Sequence, residues 1–193
     1  MNTAAAPTPP AELETITAGK TVAIVNPMAS SGGAMKRWEQ VREALEIHFP
    51  GLEPQFTEAA GHATQLCREA LEAGADTILA IGGDGTTNEG LCGFVDDQGN
   101  NRFPDATLAV LAAGTGGDFQ RMHGRGRIKR QVERLRCAAP RTIDYGVASF
   151  TDPDGQTRTR PFLNVASVGV SGEVVRRVNQ SNVQLGATLK YIL

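Results

Sequence analysis

The chain has 193 residues, enough at about 150 residues per domain for one domain and part of a second. Apolar residues make up 40%, and the 22 glycines bring the total to about half, the globular norm, which excludes disorder for the body of the chain. Nineteen Lys and Arg against 21 Asp and Glu leave a formal charge of −2, and aromatics are only 5%, so nothing in the composition points to nucleic acid. Cys67, Cys92 and Cys137 are odd in number and lack zinc-ligand spacing. They read as small buried hydrophobes in a reducing compartment. No apolar run reaches the ~18 residues that a membrane span needs. The chain is expected to be cytoplasmic.

Residues 1–20 form an Ala/Pro-rich stretch without a basic start or a long apolar run, and are expected to be a disordered leader rather than a signal peptide. Regular pattern begins with Thr21–Asn26 (TVAIVN), a short apolar run closed by Asn-Pro, which predicts a buried strand and a turn. Ser30, Ser31, Gly32 and Gly33 read as a loop. Trp38, Val41, Leu45 and Phe49 recur at helical spacing, and Pro50-Gly51 stops that helix. Gln55–Thr57 is a second strand candidate. Ala63, Leu66, Ala70 and Leu71 mark another helix, with Gly74 as its C-terminal cap. Thr77–Ile81 is a third buried strand running into Gly82-Gly83-Asp84-Gly85, and Thr86 to Phe94 reads as a short helix. Thr107–Ala112 is a fourth strand, again followed by glycines, Gly114-Thr115-Gly116-Gly117. Ile128, Val132 and Leu135 mark a further helix.

Apolar strands alternating with amphipathic helices predict an α/β fold: an open, mostly parallel sheet covered on both faces over residues 21–142. From residue 143 the style changes. Gly146–Phe150, the turn Asp152-Pro153-Asp154-Gly155 and Thr157–Ala166 read as an antiparallel hairpin that starts a β-rich second domain, residues 143–193. Glu173–Asn179 is a helix candidate, and Thr188–Leu193 begins another element.

The glycine loops fall at the carboxyl ends of strands, where an open α/β sheet binds ligands. Three glycines within Gly82-Gly83-Asp84-Gly85 let the backbone take positive φ and come close to a ligand, and are expected to form an anion nest at a helix N-terminus, with phosphate as the natural guest. Asp84 beside a phosphate is consistent with magnesium, held by the carboxylate directly or through water. Asn26-Pro27 with Ser30, Ser31 and Gly32, then Thr57, then Gly114 to Asp118, place small donor-rich residues at the other strand ends. No G-x-x-x-x-G-K-[ST] loop, no G-x-G-x-x-G after the first strand and no G-x-S-x-G elbow occurs. Of the three histidines, His62 is placed to open a helix near the phosphates.

These segments resemble a known family. Gly82-Gly83-Asp84-Gly85-Thr86-Thr87-Asn88-Glu89 is similar to the GGDGTxNE signature of the diacylglycerol kinase catalytic domain, shared by bacterial lipid kinases and the sphingosine and ceramide kinases. Asn26-Pro27 with the following Ser-Gly resembles its first nucleotide loop, and Thr57-Glu58 with Gly61-His62-Ala63 its second. Ala113 to Phe119 resembles its GTxNDF motif. Ile143 to Gly146 and Phe162 to Gly169 resemble the start of its second domain. The resemblance runs from about Thr21 to the C-terminus and implies ATP-dependent phosphorylation of a lipid hydroxyl such as that of diacylglycerol, with ATP between the two domains.

Carried over by motif, Asn26, Pro27, Ser30, Ser31, Gly32, Thr57, Gly82, Gly83, Asp84, Gly85, Thr86, Asn88, Glu89, Gly114, Thr115 and Gly116 would surround the nucleotide. Asp84 would be the catalytic carboxylate, organising magnesium or assisting deprotonation, with Asp118 and Asp144 supporting the metal. Gly117 departs from the family's usual asparagine. The family's second domain runs on well past 193 residues, so the chain is expected to be a C-terminally truncated fragment with weak or no kinase activity alone. An NAD kinase shares the GGDGT loop and is the enzymatic alternative; an ATP-binding regulatory fragment is the non-catalytic one. Expected partners are ATP and a lipid at a membrane surface, with a homodimer as a candidate assembly. Arg121 to Arg141 holds eight of the 19 basic residues and one acid, Glu133, either a solvated helix face or a peripheral docking surface for anionic lipid.

Overall fold

The computed structural model describes residues 19–29, 33–112, 118–122, 127–137, 139–167, 169 and 172–173. The leader before residue 19, the loop residues Ser30, Ser31 and Gly32, the segment Ala113 to Gly117, and the two C-terminal elements beyond Glu173 lie outside them.

Four parallel strands form the sheet: β1 (Thr21–Val25), β2 (Glu53–Phe56), β3 (Thr77–Gly82) and β4 (Thr107–Ala112), in the order β2-β1-β3-β4. The helices that join them are α1 (Gly33–His48), α2 (His62–Glu72) and α3 (Asp84–Phe94), followed by the short α4 (Asp118–Met122) and by α5 (Ile128–Cys137). The α/β expectation is met. Within the near-continuous apolar strands, successive side chains still go to opposite faces. Ala23, Val25, Leu79, Ile81, Ala109 and Leu111 join Trp38, Val41 and Leu45 of α1 and Val132 of α5 in one core layer. Val22, Ile24 and Ile78 join Ala63, Cys67, Ala70 and Leu71 of α2 and Leu91 and Phe94 of α3 in the other. Both faces are therefore covered, and each fully buried Leu, Ile or Val contributes about 1.5–3 kcal/mol.

Several expectations need correction. The second strand is Glu53–Phe56, and Thr57 follows it, its N–H bonded to the Val25 carbonyl at 2.9 Å. The fourth strand has the expected bounds and is the edge of the described sheet, with Ala109 and Leu111 buried. Of the three cysteines only Cys67 is buried, while Cys92 is half-buried and Cys137 exposed. Gly74 does end α2 as a left-handed cap, at φ 81°.

After α5 the chain forms an antiparallel pair, β5 (Gly146–Thr151) and β6 (Thr157–Phe162), around the Asp152–Gly155 turn. The second strand of this hairpin stops at Phe162 rather than running on to Ala166. There the backbone bends toward α3. Gly146 lies against the Phe162 ring, which a Cβ would force to move. The hairpin is tied to the α/β layer by the Tyr145 hydroxyl, which donates to the Gly99 carbonyl at 2.9 Å, and by contacts with α3. Among the described residues no helix is long and apolar enough to cross a membrane.

Candidate functional site

The strand order reverses between β1 and β3. The connection from β1 leads away to β2, and the connection from β3 leads the other way to β4, so a crevice opens at their carboxyl ends. Asn26 closes β1, and its N–H donates to the Ile81 carbonyl at 2.9 Å. Its side chain donates to Thr86 Oγ1 at 3.0 Å and accepts the Met28 N–H at 3.0 Å. One asparagine therefore locks the first loop to the first turn of α3. Pro27 follows directly in the same turn. The buried Thr57 lies at the end of β2, beside the same strand ends.

The glycines in Gly82-Gly83-Asp84-Gly85 work differently from the expected nest. None of them has positive φ among the described backbone. Gly82 is the last residue of β3, and a Cβ there would collide with the Thr86 side chain. Gly83 is the extended residue before α3, at φ −95° and ψ −172°. Gly85 is exposed in the first helical turn, where a Cβ would meet only open space. The physical requirement is close approach, not a left-handed backbone.

Asp84 is half-buried at the start of α3 and ties the site together. Its Oδ2 accepts the Asp118 N–H at 3.1 Å, and its Oδ1 accepts the Phe119 N–H at 3.2 Å. The carboxylate thus caps α4 across a separation of 34 residues and fixes the start of α4 beside the end of β3. Asn164, just past β6, donates from Nδ2 to Asp84 Oδ1 at 3.3 Å. A carboxylate has about four lone-pair sites. Among the described residues, Oδ1 is filled by two donors and Oδ2 by one, which leaves one direction of Oδ2 open.

Asn88 and Glu89 are engaged with other parts of the protein. Asn88 faces the hairpin, accepting the Leu163 N–H at 3.2 Å and donating to the Pro161 carbonyl at 3.4 Å. Glu89 Oε2 accepts the Ala63 N–H at 3.2 Å in the first turn of α2, and its carbonyl accepts the Thr64 hydroxyl at 3.0 Å. His62 opens α2 as expected, and its Nδ1 accepts the Glu58 N–H at 3.1 Å, closing the turn after Thr57. Asp118 lies beside Asp84, whereas Asp144 is exposed just before β5. Among the described residues no group of three His, Cys, Asp or Glu side chains could hold a metal. Ser30, Ser31, Gly32, Gly114, Thr115 and Gly116 lie outside the described residues.

Two contributors were not singled out from the sequence. Arg68 of α2 donates to the carbonyls of Cys92 at 2.9 Å and Gly93 at 3.4 Å, at the end of α3, and to the following Val95 carbonyl at 2.6 Å. A cation there satisfies orphan carbonyls and the negative end of the helix dipole. Asn164 sits in a motif segment but had no assigned part. Nothing in its local sequence distinguishes it from any loop asparagine.

Residues 20–148 match the family described as the diacylglycerol kinase catalytic domain. The chain is 33% identical over 170 residues to a protein of Bacillus subtilis named "Diacylglycerol kinase", covering 88% of this chain and 52% of that protein. It is 32% identical over 145 residues to a Pseudomonas putida protein named "Probable lipid kinase YegS-like", covering 74% of this chain and 44% of the other. A solved diacylglycerol kinase from Bacillus anthracis superposes with a TM-score of 0.58 at 27% identity, over 73% of this chain and 48% of that one. The chain thus spans about half the length of the curated relatives it matches. With the matched residues running from the foot of β1 to β5 and carrying the Asp84 loop at the β1/β3 crevice, the chain belongs to the diacylglycerol kinase catalytic-domain family.

Proposed function

We propose that the chain carries the nucleotide site of an ATP-dependent lipid kinase, which transfers the γ-phosphoryl group to a lipid hydroxyl such as that of diacylglycerol. The observation that carries this reading is Asp84. It stands at the β1/β3 crevice with, among the described residues, three hydrogen-bond donors on its carboxylate and one lone-pair direction of Oδ2 open. A carboxylate held from several sides organises charge. It is poorly suited to swing toward a proton.

The residues present fit magnesium and a nucleotide. Asp84 with the adjacent Asp118 offers hard oxygen ligands, and the exposed Gly85 leaves the first turn of α3 open to close approach. The N–H groups of that first turn have no intrahelical acceptor and suit phosphate oxygens. Asn26, through Thr86, holds the β1 loop against this turn. When bound, magnesium supplies charge neutralisation, which together with positioning does most of the catalysis of phosphoryl transfer. The exposed Arg127, just before α5, and Lys129 and Arg130 within it suit docking on anionic lipid, at about 1 kcal/mol per basic residue near the surface. Docking of that kind weakens in high salt and is absent on neutral vesicles.

The test combines calorimetric binding of Mg-ATP with transfer of labelled phosphate to diacylglycerol in mixed micelles. Binding and a weak transfer, both reduced in Asp84→Asn, are expected. Binding without transfer to any lipid selects a regulatory nucleotide-binding role, and absence of both overturns the proposal.

A further inference from the structure

Asn88 lies one helical turn beyond Asp84 on α3, so the two residues share a face. Its amide accepts the N–H of Leu163 and donates to the carbonyl of Pro161. The carbonyl before Phe162 and the N–H after it are the two groups that a residue of a parallel strand would satisfy. Asn88 takes that place at the end of β6, so no strand is needed there. The next residue along, Asn164, then reaches Asp84 Oδ1 at 3.3 Å. Two positions one turn apart on α3 are thus matched to consecutive residues of the hairpin's exit. The match spans 75 residues of chain at Asn88 and 80 at Asp84.

We propose that Asn88 is a positioning residue: its side-chain amide clips the hairpin to α3 and thereby sets where Asn164 meets the Asp84 carboxylate. The chemistry is that of a surrogate backbone, with one acceptor and one donor on a planar group. A short amide side chain provides both, and a carboxylate does not. The change Asn88→Asp would keep the acceptor for Leu163 but set a carboxylate oxygen against the Pro161 carbonyl. Truncation to Ala leaves the Leu163 N–H without its partner, leaves the Pro161 carbonyl only the Cys92 thiol at 3.9 Å, and frees Asn164. The kinetic part of the test rests on the kinase reading above; the structural part does not.

The experiment uses the whole chain as wild type, Asn88→Ala, Asn88→Asp, Asn164→Ala and the Asn88→Ala/Asn164→Ala double variant. Amide hydrogen exchange is followed over residues 157–167, Mg-ATP affinity by calorimetry, and transfer to diacylglycerol under single-turnover conditions. Exchange at Leu163 is expected to speed up about tenfold or more in both Asn88 variants, with Mg-ATP affinity held within about twofold. The transfer rate is expected to fall in Asn88→Ala about as far as in Asn164→Ala, and no further in the double variant, because the two residues act in series. Unchanged exchange at Leu163 together with a tenfold or greater loss of Mg-ATP affinity would overturn the proposal and make Asn88 a nucleotide ligand. Multiplying losses in the double variant would also overturn it. If Asn88→Ala does not fold, Asn88→Asp decides by the same two readouts. If the wild type transfers nothing, the kinase reading fails while exchange and affinity still decide the clip.

Discussion

Asp84 joins a structural duty to the chemical one proposed for it. Its charge caps α4, and charged caps are the stronger kind of hydrogen bond. Asp84→Asn keeps the shape and loses the charge, and in either orientation its amide nitrogen faces one of the two backbone N–H groups. We expect a loss of about 1 kcal/mol in stability from the weakened cap and a fall of about 100-fold in transfer, read by denaturant titration and by the micelle assay. A fall in transfer without any change in stability would contradict the capping role. The cysteines show how environment separates identical side chains. Burial pushes the Cys67 thiol up to about 12, and Cys92 is also raised, by burial first. Thiolate is the reactive form. Iodoacetamide at pH 8 should label the exposed Cys137 first and leave Cys67 unmodified in the folded chain, as peptide mass mapping would show.

At the scale of the element, helix α3 is decided by its neighbours. It contains Gly85, Gly90 and Gly93, a poor helix composition by propensity. Gly90 and Gly93 sit where β4 and α2 press close. A Cβ on Gly93 would come within 2.6 Å of Cys67, and one on Gly90 within 3.2 Å of a Leu108 methyl. Gly93→Ala is expected to cost about 1–3 kcal/mol despite its better helix propensity, by thermal or chemical denaturation. Stabilisation by that change would show that the helices can separate freely. In α1 the situation is the ordinary one: Trp38, Val41 and Leu45 form a fully buried stripe. Leu45→Ala should cost about 2–5 kcal/mol through the cavity it leaves. The α1 stripe was legible from spacing because burial on one helical face repeats every three to four residues. The two buried glycines of α3 carried no such signal, because a sequence does not display which helix or strand lies across them.

At the scale of the whole molecule, a two-faced parallel sheet positions a small antiparallel hairpin over α3. The hairpin carries its own acid-sensitive element. Arg158 donates to Asp152 Oδ2 at 2.8 Å, and the Gln156 and Asp154 N–H groups donate to Oδ1, holding the Asp152 carboxyl below its usual range. A group whose folded value is depressed contributes stability above its unfolded value and loses it as pH falls through the folded one. The Asp152–Gly155 turn should therefore loosen below about pH 4, with faster exchange of the Gln156 amide, while Asp152→Asn removes that pH dependence. An unchanged acid response in Asp152→Asn would assign the loosening to another group. The parallel character of the sheet was legible, since apolar strands alternating with amphipathic helices leave few arrangements, but the strand order was not. The edge position of β4 was not, because Thr107–Ala112 is as apolar as the central strands.

Local sequence by itself determined the elements, the parallel sheet, the placement of small polar residues at strand ends and the family. Periodic burial and turn chemistry act within a few residues, so they are written in consecutive positions. Tertiary structure alone decided which side chains meet: Asp84 with α4 and Asn164, Asn88 with the exit of β6, Glu89 with the start of α2, and Arg68 with the end of α3. Those pairs lie 24 to 80 residues apart. Each depends on how two elements cross, a property that neither element carries in its own sequence.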